Sequence, residues 1–196
     1  ASVALRFERD AKAAAMCRHP NVVRTLDLVT AEDGARCIVL VLPYRESPAD
    51  RTVRVGPLSP EATAALLLPV MHGLADAHLQ RIVHRDLKPD NIFIAREAGR
   101  EVPMLLDFGI AKLLDGTHAT QTGMMIGTPA YMSPEQVRGL RDIGPPTDVW
   151  AMGAVWFECL SGRTPLLAET PQGMIASILT ESPPPLRTVK GSVPSH

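Results

Sequence analysis

The chain has 196 residues, 45% of them hydrophobic and 21% charged, with a formal net charge of -1. That balance suits a globular unit with a real core and excludes a nucleic-acid surface or a polybasic membrane patch. No apolar window reaches the ~20 residues of a membrane span and no signal-peptide pattern opens the chain.

The opening ASVALRFERDAKAAAMCRH is alanine-rich and predicts a helix that stops at His19-Pro20, because the residue before a proline is pushed out of the α region. VVRTLDLV and ARCIVLVL, separated by TAEDG, are rich in Val, Leu and Ile and predict an antiparallel hairpin. PYRESPADRTVRVGP is polar and broken by prolines, a connector with at most a short helix. Ser59-Pro60-Glu61 has the form of a helix start: a Ser N-cap, Pro at the first helical position, and an acid in the first turn. Ala62, Leu66, Val70, Leu74 and Ala77 continue it as one apolar face. Pro69 inside that face removes one hydrogen bond and should kink the helix, at about 3 kcal/mol unless packing compensates. NIFIA and MLLDF suit a second small hairpin, and LLDGTHATQTGMMIGTPAYMSPEQ has no period and reads as a structured loop. DVWAMGAVWFECLSG predicts a helix closed by Gly162. Cys17, Cys37 and Cys159, odd in number and far apart in apolar stretches, read as reduced thiols buried as small hydrophobes, which fits a cytoplasmic setting or the cytoplasmic part of a membrane-anchored parent.

Chemistry is densest in IVHRDLKPDN, Ile82 to Asn91, which packs an imidazole, two cations, two carboxylates and an amide into ten residues. DFG follows at Asp107 to Gly109, GTPAYMSPEQ at Gly127 to Gln136, and DVWAMG from Asp148. In that order and context the set resembles the catalytic core of the protein kinase family. TQTGMMIGTPAYMSPEQ resembles in particular the bacterial serine/threonine kinases of the eukaryotic type. The resemblance runs from about Arg6 to about Leu186. It implies an α+β, protein-kinase-like fold: a partial N-lobe (the C-helix and two strands) plus most of a mainly helical C-lobe. The implied boundaries are 1–42 for the N-lobe part, 43–58 for hinge and connector, 59–187 for the C-lobe, and 188–196 for a frayed tail.

Phosphoryl transfer needs an acceptor hydroxyl oriented in line with the γ-phosphate and needs the phosphate charge neutralised. By resemblance Asp86 accepts the proton of that hydroxyl and Lys88 neutralises the transferring group; the bland alternative is a solvated surface pair. Asn91 and Asp107 supply hard oxygens suited to Mg2+, or to Mn2+ in its place. Leu40 corresponds to the gatekeeper, and Val41 and Leu42 would offer backbone groups to the adenine of ATP, although Pro43 lacks an N–H. Arg85 has the place of a residue that pairs with a phosphorylated loop, and Thr120 and Thr122 lie where bacterial relatives autophosphorylate, which implies a kinase dimer partner. Thr128 would touch Asp86 and Lys88. His84, Phe108 and Asp148 would be scaffold, and Glu135 the buried acid that closes the activation segment.

The departures are as specific as the matches. No glycine-rich loop and no strand Lys precede the first helix, and Asp10 stands where the family has Glu. The arginine that would pair with Glu135 is also missing, so the sequence reads as a kinase domain truncated at both ends, with little turnover expected of this piece. Two other classes compete: a catalytically inactive kinase-like binding module, favoured by the missing phosphate clamp, and a small-molecule phosphotransferase. The retained Asp86, Lys88, Asn91 and Asp107 oppose the first, and GTPAYMSPEQ opposes the second. The partners that follow are ATP and protein substrates carrying Ser or Thr acceptors.

Overall fold

The computed structural model describes residues 17–30, 36–40, 45–106, 129–140 and 142–190. Of the expected helix over 1–19, residues 1–16 lie outside the described residues and 17–19 are not helical; the adenine contacts Val41 and Leu42, and Asp107, Phe108, Thr120, Thr122 and Thr128 also lie outside the described residues.

Strands β1 (Thr25–Thr30) and β2 (Arg36–Leu40) pair antiparallel, as their Val, Leu and Ile content predicts, with Leu28 opposite Ile38 and Thr25 opposite Leu40. A second sheet has the order β3-β4-β5, formed by Arg45–Glu46, Ile92–Glu97 and Arg100–Leu105. The β4-β5 hairpin turns through Ala98 and Gly99, both at positive φ, the form whose twist matches that of the flanking strands. Between the sheets' segments α1 (Pro48–Val55) occupies the connector. Ser47 caps it, accepting from Asp50 N while the Asp50 carboxylate accepts from Ser47 N.

Helix α2 (Pro60–Leu79) starts at Ser59 as expected and runs unbroken through Pro69. Of the five residues expected on the apolar face, Leu66, Val70, Leu74 and Ala77 are buried and the fifth is not. Ala62 is exposed, while Thr63, Leu66, Leu67, Val70, Leu74 and Ala77 face inward. The 3.6-residue period places Thr63, Leu67 and Val70 on a single stripe, and the four-residue spacing that includes Ala62 drifts off it. Burial of Leu66, Leu67 and Val70 around Pro69 offsets the missing bond, since each such side chain contributes about 1.5–3 kcal/mol.

Helix α3 (Pro134–Val137) is short, with Ser133 as its N-cap. Helix α4 (Pro146–Ser161) is the central one; Ala151, Met152, Val155 and Cys159 bury one side of it, and Gly162 closes it at φ +80°. Helices α5 (Pro171–Thr180) and α6 (Leu186–Val189) follow. The main core is formed where α2, α4 and the β4-β5 hairpin meet, through Leu67, Val70, Ile92, Leu105 and Val155. A smaller cluster of Ala130, Leu166, Met174 and Ile178 packs α5 beneath the turn Pro129–Tyr131. Cys17 and Cys159 are free and buried, and burial pushes their thiols up to about 11 and about 12, so neither is reactive. No helix among the described residues is long and apolar enough to cross a membrane.

Candidate active site

Residues 80–88 run irregularly from the end of α2 into a 3-10 turn, Pro89–Asn91, which leads directly into β4. Three side chains of this loop converge. Lys88 Nζ stands 3.7 Å from Asp86 Oδ2, and both side chains keep part of their surface in solvent. Asn91 Nδ2 donates to the Asp86 main-chain oxygen at 2.7 Å and lies 3.4 Å from Asp86 Oδ2. The amide therefore spends its donor end on Asp86, which leaves the Asn91 Oδ1 end as a hard oxygen of the kind a divalent cation takes. No group of three or more His, Cys, Asp or Glu side chains among the described residues is placed to hold a metal by itself.

The loop is held from below by Asp148, in the first turn of α4 and fully buried. Asp148 Oδ2 accepts from His84 N and Oδ1 from Arg85 N, each at 2.8 Å. His78, in the last turn of α2, brings Nε2 to 2.8 Å from Asp148 Oδ2. Charged acceptors give the stronger class of hydrogen bond, so one carboxylate ties two loop amides to two helices. His84 is itself fully buried. Its Nδ1 accepts from Asp86 N at 3.3 Å and its Nε2 donates to the Leu106 carbonyl at 2.9 Å, which is the pattern of a neutral imidazole. Leu106 N in turn donates to Asn91 O at 2.8 Å. The β4-β5 hairpin thus returns the chain to the loop one residue before Asp107, as the paired apolar runs suggested.

Arg85 is exposed and its φ of +64° lies in the left-handed region, which a Cβ disfavours. Leu40 ends β2. Glu135 departs from expectation: it is half-buried, and its Oε1 accepts from Thr147 Oγ1 at 2.6 Å. Burial pulls the Glu135 carboxyl upward, but hydrogen bonds from Thr147, its own backbone and Ser133 prevail and hold it below the usual carboxylate range. Thr147 also shares a 2.9 Å hydrogen bond with the buried Ser133 hydroxyl, so hydroxyls hold this acid.

Two contributors went unread in the sequence. His78 is a lone histidine near a helix end, and only the fold sets it against Asp148. Gln136 completes an S-x-x-Q capping box that was legible, accepting from Ser133 N at 3.0 Å. Its other bond, from Nε2 to the Arg85 carbonyl at 2.6 Å, spans 51 residues and has no local signal. A cleft of about 340 Å3 bordered by Ser47, Asp50, Asp90 and Phe93 lies beside the loop. A larger one of about 500 Å3 is bordered by the ion-paired Glu46, Arg51, Arg54 and Glu101 and by none of the converging side chains.

The family model described as protein kinase domain matches residues 4–191. Serine/threonine-protein kinase pkn3 of Myxococcus xanthus is 38% identical over 187 residues, covering 92% of this chain and 34% of that protein. Serine/threonine-protein kinase pkn2 of Myxococcus xanthus is 37% identical over 189 residues, covering 95% of this chain and 22% of that protein. Serine/threonine-protein kinase PknB of Mycobacterium leprae is 35% identical over 185 residues, covering 92% of this chain and 29% of that protein. The chain thus spans about a third or less of the length of these curated relatives. Among solved structures it is similar to the crystal structure of Rad53 1-466 in complex with AMP-PNP, with a TM-score of 0.71. That match covers 88% of this chain and 42% of the other, and at 23% identity it speaks for the fold alone. With nearly its whole length inside one family model and bacterial serine/threonine kinases as its relatives, the chain belongs to the protein kinase family.

Proposed function

We propose that this chain forms part of the catalytic domain of a serine/threonine protein kinase, which moves the γ-phosphate of ATP to Ser and Thr hydroxyls of other proteins. The observation that carries the reading is the convergence of Asp86, Lys88 and Asn91 on one loop whose amides are anchored to the buried Asp148. Asp86 accepts the proton of the acceptor hydroxyl and orients its oxygen. Lys88, 3.7 Å away, balances charge on the group in transit. Asn91 Oδ1, with Asp107, would hold Mg2+ or Mn2+, and the cation supplies neutralisation of the phosphate oxygens when bound. By resemblance Leu40, Val41 and Leu42 would line the adenine of a bound ATP, Thr128 would support the acceptor side, and Arg85 would receive a phosphate placed on Thr120 or Thr122 by a second kinase molecule. Relatives that are serine/threonine kinases favour this reading over a small-molecule phosphotransferase.

The test is Mg2+-dependent transfer of labelled γ-phosphate to a protein acceptor by the intact protein that carries this chain. Asp86→Ala should lower the rate by about 10³-fold, the scale of losing a positioned acid-base group. Transfer that survives Asp86→Ala undiminished refutes the assignment.

A further inference from the structure

The side-chain amide of Gln136 makes two hydrogen bonds of opposite sense. Oε1 accepts from Ser133 N at 3.0 Å, and Nε2 donates to the Arg85 carbonyl at 2.6 Å. The partners fix the orientation of the amide, because a flipped side chain would set its NH2 against an N–H and its oxygen against a carbonyl. The carbonyl it reaches belongs to the peptide that joins Arg85 to Asp86. That peptide follows a non-glycine residue at φ +64°, a conformation that persists only where its surroundings hold it. Three groups do so here. Asp148 Oδ1 takes the Arg85 N–H, His84 Nδ1 takes the Asp86 N–H, and Gln136 takes the carbonyl between them. The first two belong to the central helix and to the loop itself. Gln136 alone comes from α3, the helix that begins at Ser133.

We infer that Gln136 is a positioning residue for Asp86: its amide clamps the Arg85–Asp86 peptide and joins α3 to the catalytic loop. The inference rests on the reading of Asp86 as proton acceptor, and two variants separate the clamp from the cap. Gln136→Glu keeps an acceptor for Ser133 N, the usual form of a capping box, but has no N–H for Arg85. Gln136→Lys keeps a donor and loses the acceptor. For Gln136→Glu in the intact protein, we expect an unfolding temperature within about 2 °C of the parent. We also expect a kcat about tenfold lower with KM for ATP unchanged, and amide exchange at Asp86, read by NMR, about tenfold faster. Gln136→Lys should melt earlier yet hold kcat within about threefold of the parent. Parent-like kcat and Asp86 exchange in Gln136→Glu overturn the inference, as does a Gln136→Lys variant as slow as Gln136→Glu. If the parent itself transfers no phosphate, the kinase reading fails, and Asp86 exchange still decides the clamp.

Discussion

Replacing Asp148 with Ala removes one acceptor from three donors at once. His84 N and Arg85 N each lose a 2.8 Å bond to a carboxylate, and His78 Nε2 loses a third. Bonds to charged groups contribute about 1.5–3 kcal/mol apiece. His78 keeps 18% of its side chain exposed and can take water as a new partner, so only the two loop amides are counted. The expected loss is about 3–6 kcal/mol, a large share of the 5–15 kcal/mol typical of a domain. Asp148→Asn keeps one acceptor oxygen but turns an NH2 toward an amide N–H, so it should lose about half as much. Urea unfolding followed by tryptophan fluorescence measures both, since Trp150 and Trp156 lie on the same helix as Asp148. A loss under about 1 kcal/mol in Asp148→Ala, with an unchanged m-value, would refute the anchoring role.

Acid titration tests the ion pairs around α1. Hydrogen bonds from Arg54, then from Arg51, hold the Glu46 carboxyl down at about 2 despite some burial, and Arg51 likewise lowers Glu101. Carboxyls lowered in the folded state contribute stability that is present above about pH 4.3 and lost as pH falls toward 2. Because these groups are partly solvated, the total is about 1 kcal/mol or less. Arg51→Ala should flatten that part of the stability-versus-pH curve, and an unaltered acid slope would count against the network. Gly73→Ala should destabilise α2 by about 1–2 kcal/mol, although Ala normally exceeds Gly in a helix by about 1 kcal/mol. A Cβ there would sit 2.9 Å from Val22 Cγ2 and 3.2 Å from His19 Nδ1. A stabilised variant in thermal melts would contradict the close packing of the 19–22 segment on α2.

Much of the secondary structure was written in local chemistry. Ser59-Pro60-Glu61 starts α2 and Gly162 ends α4, because caps and positive φ act within a turn of the chain. The β4-β5 hairpin was legible in two apolar runs around Ala98-Gly99. The capping box of Ser47 and Asp50 carried a signal of the same kind for an eight-residue helix, though proline density masked it. The convergence of Asp86, Lys88 and Asn91 was legible as well, because their spacing within one loop is itself the motif. Local reading failed where partners come from elsewhere. Glu135 was expected to be a buried acid lacking its partner; it is half-buried and bonded to the hydroxyl of Thr147, at the start of α4. The placement of His78 on Asp148 and of Gln136 on Arg85 joins residues 70 and 51 positions apart. Sequence by itself determined the family and helix ends such as Ser59 and Gly162, since those depend on neighbours in the chain. Tertiary structure alone decided which groups hold the strained Arg85–Asp86 peptide, because a hydrogen bond between distant residues exists only once the core has brought its donor and acceptor within about 3 Å.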